Sequence, residues 1–297
     1  MQVRTVDEPL AELIGESPEI RTVRDRVRQL LATERENLPL PSIVIEGPRG
    51  VGKTFLAWLI HRHGLRANHP FVKIACDCEQ WVPESVVEAD WFGLAAGGVN
   101  ADEGRGKTGL IEAAHGGTLF LDRIELLSTN LQERLLKVIE QRQLIRIGER
   151  ERRNVDIRFI SATETYLSSE SCGQGLRPDL YDRLAGITLS LPPLHERERD
   201  LLLLADLFLQ RACRAHGLPV KRLASDAETR LLGERFYGGV RELRAIIERV
   251  PLLTSEPIVT AAMLASTGLP LLSSINPPGP WPAWQRPIRI TFEDMHE

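Results

Sequence analysis

The sequence is short of cysteine and of long apolar runs, and each shortage excludes a class of protein. Its four cysteines in 297 residues cannot form a disulfide framework, and the closely spaced Cys76 and Cys78 have no second pair for a zinc knuckle. The most apolar segment, 201–209, is interrupted by Asp206 and is far shorter than the ~20 residues that cross a bilayer. The N-terminus contains acids and no apolar core, unlike a signal peptide. We therefore expect reduced thiols, no membrane association and a cytoplasmic location.

The chain also lacks an excess of positive charge. Its formal net charge is −4, so no chain-wide basic field favours non-specific binding to nucleic acid. The residues after Leu253 show neither a paired-helix pattern nor a basic stripe, and we expect no direct DNA binding. The length of 297 residues suffices for one large core and a smaller second domain.

Strand and helix signals alternate from about Ile14 to Leu191, which predicts an α/β fold with a parallel sheet between helices. After Pro192 and Pro193 the pattern changes to amphipathic helices without strands, which predicts a small all-α lid. The expected strands are Ile43–Glu46, Phe71–Ala75, Thr118–Asp122, Ile157–Ala162 and Ile187–Leu191, and the expected lid helices are Asp200–His216, Asp226–Phe236 and Val240–Leu253. The expected divisions are an N-terminal tail (1–12), an α/β domain (13–193), a helical lid (194–265) and a C-terminal tail (266–297).

The C-terminal tail is rich in proline, and its run 276–280 cannot be helical. It carries Trp281 and Trp284. Two interpretations remain open: an extended tail, or a partner-binding peptide anchored by the tryptophans.

A phosphate-binding loop follows the first expected strand. The pattern G-x-x-x-x-G-K-T, known as Walker A, lies between that strand and a helix, which is the context that makes the motif credible. Backbone N–H groups and the helix N-terminus can hold phosphates, the lysine can reach the β- and γ-phosphates, and the threonine hydroxyl can bind Mg²⁺. The alternative is a chance glycine-rich turn. The candidate nucleotide-binding residues are Gly47, Pro48, Arg49, Gly50, Val51, Gly52, Lys53, Thr54 and Phe55.

A second apolar strand ends at Asp122, which is expected to hold Mg²⁺ through water. ATPases of this kind normally carry a second acid directly after the first, but this chain carries Arg123. The site is therefore expected to hold ATP or ADP with Mg²⁺, and its hydrolytic activity is expected to be impaired or lost.

Longer strings accompany these two motifs. They are Leu13–Pro18 (LIGESP), Gly109–Asp122 (GLIEAAHGGTLFLD), Leu191–Arg197 (LPPLHER) and Gly239–Leu243 (GVREL). Together they resemble the AAA+ ATPase domain of bacterial sigma-54-dependent transcription activators, from Leu13 to about Val250. The resemblance implies an AAA+ P-loop NTPase fold and ring-shaped hexamers with ATP at the subunit junctions.

The resemblance also implies roles for three arginines. Arg177 and Arg183 match the arginines that reach a neighbour's γ-phosphate, a role that suits a permanently charged, planar guanidinium. Arg241 matches the sensor arginine of the lid. The alternative for each is an ordinary surface or helix-capping arginine.

Three departures from the family pattern affect hydrolysis. Arg123 replaces the catalytic glutamate, Ala75 replaces the asparagine that governs it, and Glu164 replaces the polar residue of sensor I. Arginine cannot act as a general base, and losing this assistance is expected to lower the rate by roughly 10²–10⁴-fold. Glu164 is expected to pair with Arg123, either as a displaced catalytic acid or merely to balance charge.

A fourth departure affects the loop that contacts sigma-54 in the family. Its phenylalanine and threonine are replaced by Val99 and Asn100, so we expect no direct engagement of sigma-54. The favoured expectation is a nucleotide-binding regulatory protein with an unidentified protein partner, acting in a homo- or hetero-oligomeric ring. The alternatives are an active ATPase that remodels another protein and a transcriptional regulator working in trans with a DNA-binding partner.

Overall fold

The computed structural model describes residues 9–35, 38–77, 82–96, 106–164 and 175–267. Predictions made on Cys78, Cys172, Val99, Asn100 and the tail with Trp281 and Trp284 lie outside the described residues. The described chain forms two compact units. The lid unit contains the described residues up to Arg28, Gly47–Gly52 and those from Leu191 onward, and the sheet unit contains Gln29–Glu46 and Lys53–Ser190. The expected divisions at 12, 193 and 265 stay predictions.

The secondary structure alternates as the sequence predicted. The strands are β1 (Ile43–Glu46), β2 (Phe71–Ala75), β3 (Thr118–Asp122), β4 (Gln143–Leu144), β5 (Arg153–Asn154), β6 (Arg158–Thr163), β7 (Ile187–Ser190), β8 (Arg222–Leu223) and β9 (Ile258–Val259). The α-helices are α1 (Pro18–Thr33), α2 (Lys53–His63), α3 (Glu84–Phe92), α4 (Leu110–Ala113), α5 (Thr129–Gln141), α6 (Pro178–Leu184), α7 (Glu198–Ala215), α8 (Ser225–Leu232), α9 (Gly239–Leu253) and α10 (Ala261–Ser266). Short 3₁₀ turns occur at Pro9–Glu12, Ile124–Leu126 and Leu194–Glu196.

The sheet unit is built on five parallel strands in the order β2-β3-β6-β1-β7. All residues of β1 and β6 are buried, as expected for inner strands covered on both faces. The register pairs Ala75 with Asp122, Asp122 with Ala162, and Glu46 with Thr163. Because the strands are parallel, their carboxyl ends lie at one edge of the sheet, where the polar residues of the candidate site gather.

A buried ion pair lies at the amino end of β6. Arg158 Nη1 is 2.6 Å from Glu34 Oε1, and both side chains are 1% exposed. Glu34 Oε2 also accepts a hydrogen bond from Leu65 N at 3.0 Å. Burial lowers the pKa of Arg158, while the Glu34 carboxylate opposes that shift. The Glu34 carboxylate therefore links the segment after α1, the start of β6 and the end of α2.

The lid unit is mainly helical, with α7 packed against α9 and α8. The expectation that it contains no strands was wrong, because β8 and β9 form a short parallel pair. Pro219 and Pro257 precede these segments and keep the chain out of a helix, and two-residue strands are too short to show a period in the sequence. Helix α8 ends at Leu232 rather than Phe236, with Gly233 at its C-cap.

Candidate functional site

The phosphate loop, Gly47–Gly52, follows β1 and precedes α2 along the chain. Within the lid unit, Val240 N donates to Gly50 O at 2.9 Å. Gly50 has φ +75°, and a Cβ added to it would lie 1.9 Å from Gly238 O. Only glycine fits this position, because the loop backbone touches the backbone at the start of α9. The predicted residues Pro48 and Arg49 lie in the same loop, with Arg49 exposed.

A buried cation supports the phosphate loop. Arg197 is 3% exposed, and its Nη2 donates to Val51 O at 3.2 Å. Burial lowers the pKa of Arg197, and the nearby Asp200 carboxylate opposes the shift. Sequence reasoning included Arg197 in a matched string but gave it no role. The contact fixes the position of one carbonyl group in the loop.

Lys53 and Thr54 begin α2, and Lys53 is 7% exposed. Burial lowers the pKa of Lys53, although the carboxylates of Glu164, Asp122 and Glu125 act in the opposite direction. The structure thus places the lysine of the motif near three acids at the carboxyl edge of the sheet. Phe55, also a predicted binding residue, is 39% exposed and stacks on Trp58 with ring centroids 6.0 Å apart.

The two predicted Mg²⁺ ligands share a cationic neighbour that the sequence analysis missed. Lys73 Nζ lies 2.9 Å from Asp122 Oδ2 and 3.4 Å from Thr54 Oγ1. The hydroxyl and the carboxylate therefore face a common point, and both are oxygen donors of the kind Mg²⁺ prefers. The described residues show no group of three or more His, Cys, Asp or Glu side chains arranged for a metal. A metal ion here would take few protein ligands, as Mg²⁺ does beside a nucleotide.

Arg123 directly follows Asp122, at the position where the sequence analysis expected a catalytic glutamate. Its backbone is left-handed, with φ 60° and ψ 54°. The expected ion pair with Glu164 was wrong, because the guanidinium instead donates to Asp77 Oδ2. Asp77 follows the end of β2, the strand beside β3, and so lies within reach of Arg123.

Glu125 joins the acidic cluster and was not predicted. Its Oε1 accepts a hydrogen bond from Glu164 N at 3.0 Å. Its Oε2 is buried and has no hydrogen-bond partner among the residues that the structure describes. Glu125 lies only two residues after Arg123. This short spacing could have identified Glu125 as an acid displaced along the same turn.

The arginines predicted to act on a neighbour are paired within their own unit. Arg177 donates from Nε and Nη2 to Asp179 at 3.0 and 2.7 Å, and Arg183 donates from Nε to Glu140 at 3.1 Å. The side chain of Arg183 is 59% exposed, which leaves it accessible from outside. Arg241 is exposed in the first turn of α9 in the lid unit. Their roles as γ-phosphate contacts stay predictions.

A parallel sheet whose carboxyl edge carries the lysine of a phosphate loop and a strand-end acid, followed by a helical lid, defines a P-loop protein of the AAA+ class. The sequence narrows that class further. Residues 13–190 match the model of the sigma-54 interaction domain, and residues 195–270 match that of the AAA+ ATPase lid domain. The chain therefore belongs to the sigma-54 interaction domain family, which confirms the resemblance found in its motifs.

Curated relatives agree with this assignment. The chain is 38% identical over 237 residues to the response regulator protein PilR of Pseudomonas aeruginosa, covering 80% of this chain and 51% of PilR. It is 34% identical over 215 residues to the transcriptional regulatory protein FlgR of Helicobacter pylori, covering 72% of this chain and 55% of FlgR. The chain thus spans about half the length of these relatives.

Solved structures give the same fold. NtrX from Brucella abortus in complex with ADP superposes with a TM-score of 0.73 at 30% identity, over 86% of this chain and 55% of NtrX. NtrX in complex with ATP gives a TM-score of 0.74 at 29% identity, over 92% of this chain and 57% of NtrX.

Among the residues that the structure describes, none of the helices combines the length and the apolar character that a membrane span requires.

Proposed function

We propose that this protein is an ATP- or ADP-binding regulatory AAA+ protein whose hydrolytic step is impaired or lost. It acts through contact with another protein, in a homo- or hetero-oligomeric ring in the cytoplasm, without engaging sigma-54 or DNA directly. The observation that carries the proposal is the side chain after Asp122. That position holds Arg123 paired with Asp77, and a paired guanidinium cannot accept a proton from water.

The proposed nucleotide binding rests on the backbone of the phosphate loop and on side chains at the carboxyl edge of the sheet. Gly47–Gly52 supplies backbone donors, Lys53 supplies the buried cation, and Thr54 with Asp122 supplies oxygen ligands for Mg²⁺. The similar NtrX structures in complex with ADP and with ATP support the same ligand class for this chain. Differential contacts to the γ-phosphate suffice to bias a conformational equilibrium, so a slow ATPase can still act as a nucleotide switch.

Two measurements test the proposal. Titration with ATP should show binding to the wild-type protein and a loss of at least tenfold in Lys53→Ala, since about 1.4 kcal/mol of lost contact suffices for tenfold. Steady-state phosphate release should be slow in the wild type and should rise in Arg123→Glu. Brisk turnover by the wild-type protein would contradict impaired hydrolysis, and absent nucleotide binding would contradict the whole proposal.

A second candidate is an active ATPase that remodels another protein, and the acidic cluster favours it. Glu125 Oε2 is buried without a hydrogen-bond partner in the described chain, and Glu125 and Glu164 both lie near Lys53. Either acid is a candidate to orient a hydrolytic water in place of the missing glutamate. Turnover that falls in Glu125→Gln or Glu164→Gln would favour this candidate, whereas unchanged turnover in both would eliminate it.

FlgR, one of the relatives named above, is a transcriptional regulatory protein, which favours a role in that process. A regulator working in trans with a DNA-binding partner is compatible with the nucleotide switch. Capture of the partner on the purified chain with and without ATP distinguishes a nucleotide-gated contact from a constitutive one.

A further inference from the structure

Lys73 places an ammonium group where the magnesium ligands converge. Its Nζ contacts Asp122 Oδ2 at 2.9 Å and Thr54 Oγ1 at 3.4 Å. It also lies 5.8 Å from the ring centroid of Phe120, on the neighbouring strand. One cation therefore bonds to both oxygen ligands that the nucleotide's metal would use.

The sheet register explains why this lysine reaches the site. Lys73 pairs with Phe120 and Ala75 pairs with Asp122 across β2 and β3. Lys73 and Ala75 point to the same face because side chains alternate along a strand. Ala75 is paired with Asp122, but its methyl group cannot form a hydrogen bond with the carboxylate. The long side chain of Lys73 reaches the Asp122 carboxylate from two residues earlier in β2.

An ammonium group can do part of what a metal ion does at this point. Lysine has three N–H donors, and two of them are directed to Thr54 and Asp122. The third has no partner among the described residues, so it remains available to a phosphate oxygen. The Lys73 side chain is 23% exposed, which leaves the ammonium group accessible to a ligand while water screens it only partly.

We propose that Lys73 acts as a built-in cation at the metal position, so that the protein retains a nucleoside di- or triphosphate without a divalent ion. The inference rests on the proposed nucleotide binding and specifies its chemistry. Lys53 keeps its separate role at the phosphate loop, whereas Lys73 neutralises Asp122, which would otherwise repel the phosphates. Mg²⁺ can still enter with the nucleotide, but affinity does not depend on it.

The test is calorimetric titration with ADP, once in EDTA and once in Mg²⁺. The wild-type dissociation constant should change by less than about threefold between the two buffers. Lys73→Met should bind ADP at least about tenfold more weakly in EDTA, because a charge-assisted contact is lost and Asp122 is left unneutralised. In Mg²⁺ the same variant should bind normally, since the metal replaces the missing cation, and this result also shows that the variant is folded.

Two further variants separate charge from packing. Lys73→Arg keeps the cation and should retain binding in EDTA. Lys137→Met removes a lysine paired with Glu133 at 2.6 Å on the exposed face of α5, outside the site, and should behave as the wild type.

Three results would overturn the inference. They are a wild-type affinity that collapses in EDTA, a Lys73→Met variant that loses no more affinity in EDTA than the wild type, and equal losses in Lys73→Arg and Lys73→Met. ADP binding by the wild type only in Mg²⁺ would contradict the role of Lys73 but leave the proposed nucleotide binding standing. Failure to bind ADP in either buffer would contradict both.

Discussion

Arg123 and Asp77 form an ion pair across the ends of two neighbouring strands, β3 and β2. Their side chains are 30% and 21% exposed, so the pair is partly shielded from solvent. The cation that follows Asp122 is thus held by a carboxylate of the same unit, Asp77 rather than Glu164. The arginine at position 123 therefore has a counter-charge, Asp77, within the sheet unit.

The Arg123–Asp77 pair predicts how much phosphate release increases when an acid is introduced at position 123. Arg123→Glu returns an acid to the position but sets it against Asp77, so repulsion should displace the new carboxylate. Adding Asp77→Asn removes that repulsion, and phosphate release should rise further in the double variant than in Arg123→Glu alone. The full gain should approach the roughly 10²–10⁴-fold that general-base assistance contributes.

Asp77→Asn alone is the control, since it contains no new acid and should leave phosphate release low. Equal rates in the single and double Arg123→Glu variants would show that Asp77 does not oppose the introduced acid.

The close approach of Gly50 to Gly238 predicts that one added methyl group at Gly50 lowers both stability and ADP binding. Gly50→Ala would place a Cβ 1.9 Å from Gly238 O in a backbone with φ +75°, so the phosphate loop must shift. Gly217→Ala is the matched control, because Gly217 has φ +64° but no atom of the described residues lies within 4 Å of the added Cβ. We expect the control to cost about 1–2 kcal/mol of unfolding free energy and to bind ADP normally. Gly50→Ala should lose more stability and weaken ADP binding, as measured by urea unfolding and titration.

His61 predicts a pH dependence of stability. It is 1% exposed, its Nδ1 lies 3.0 Å from Thr118 Oγ1, and burial, aided by the Arg158 charge, lowers its pKa to about 4. Between that value and the ordinary histidine pKa of 6.5, the unfolded chain binds more protons at His61 than the folded chain does. The free energy of unfolding should therefore fall by up to about 3 kcal/mol as pH drops from 6.5 to 4.

The slope from His61 is checked by urea unfolding at a series of pH values in this window. His61→Gln should flatten the curve, while His216→Gln, at an exposed histidine, should not. A wild-type curve with the same slope as His61→Gln would rule out His61 as the source.

The main elements were predictable because their signals are local. The bounds of β1, β2 and β3 match the predicted strands, since each is a short apolar run beside glycine, proline or an acid. Strand β6 is shifted by one residue from Ile157–Ala162, and β7 ends at Ser190 rather than Leu191. The β8–β9 pair could not be found, because its partners are far apart in sequence and each is too short for periodicity.

The placement of the motif residues was predictable, but their partners were not. The structure brings Lys53, Thr54 and Asp122 to one edge of the sheet, while their roles in binding stay predictions. Lys73 reaches Asp122 from the neighbouring strand, and Asp77 reaches Arg123 across 46 positions of sequence. Such contacts depend on strand order and register, which the sequence pattern of single strands does not specify.

The buried pair of Glu34 and Arg158 predicts a large loss of stability. Glu34→Gln leaves the Arg158 guanidinium buried without a counter-charge, which should lower the free energy of unfolding by about 3–5 kcal/mol. Glu16→Gln is the matched control, since it breaks the exposed pair with Arg21 and should cost less than about 1 kcal/mol. Urea unfolding compares the two variants, and equal losses would show that burial does not decide the strength of the Glu34 pair.

Arg183 supplies the prediction for assembly. Its pair with Glu140 is exposed on both sides, with side chains 59% and 41% accessible, so breaking it should cost little stability. If Arg183 contacts a neighbour's nucleotide, Arg183→Ala should weaken ATP-dependent association while the unfolding free energy changes by less than about 1 kcal/mol. Light scattering with and without ATP measures the association.

Arg244→Ala is a suitable control, because Arg244 is paired with Glu248 on the exposed face of α9. Arg142→Ala is a poor control, because Arg142 has a left-handed backbone. Equal assembly by Arg183→Ala, Arg244→Ala and the wild type would remove Arg183 from any intersubunit contact.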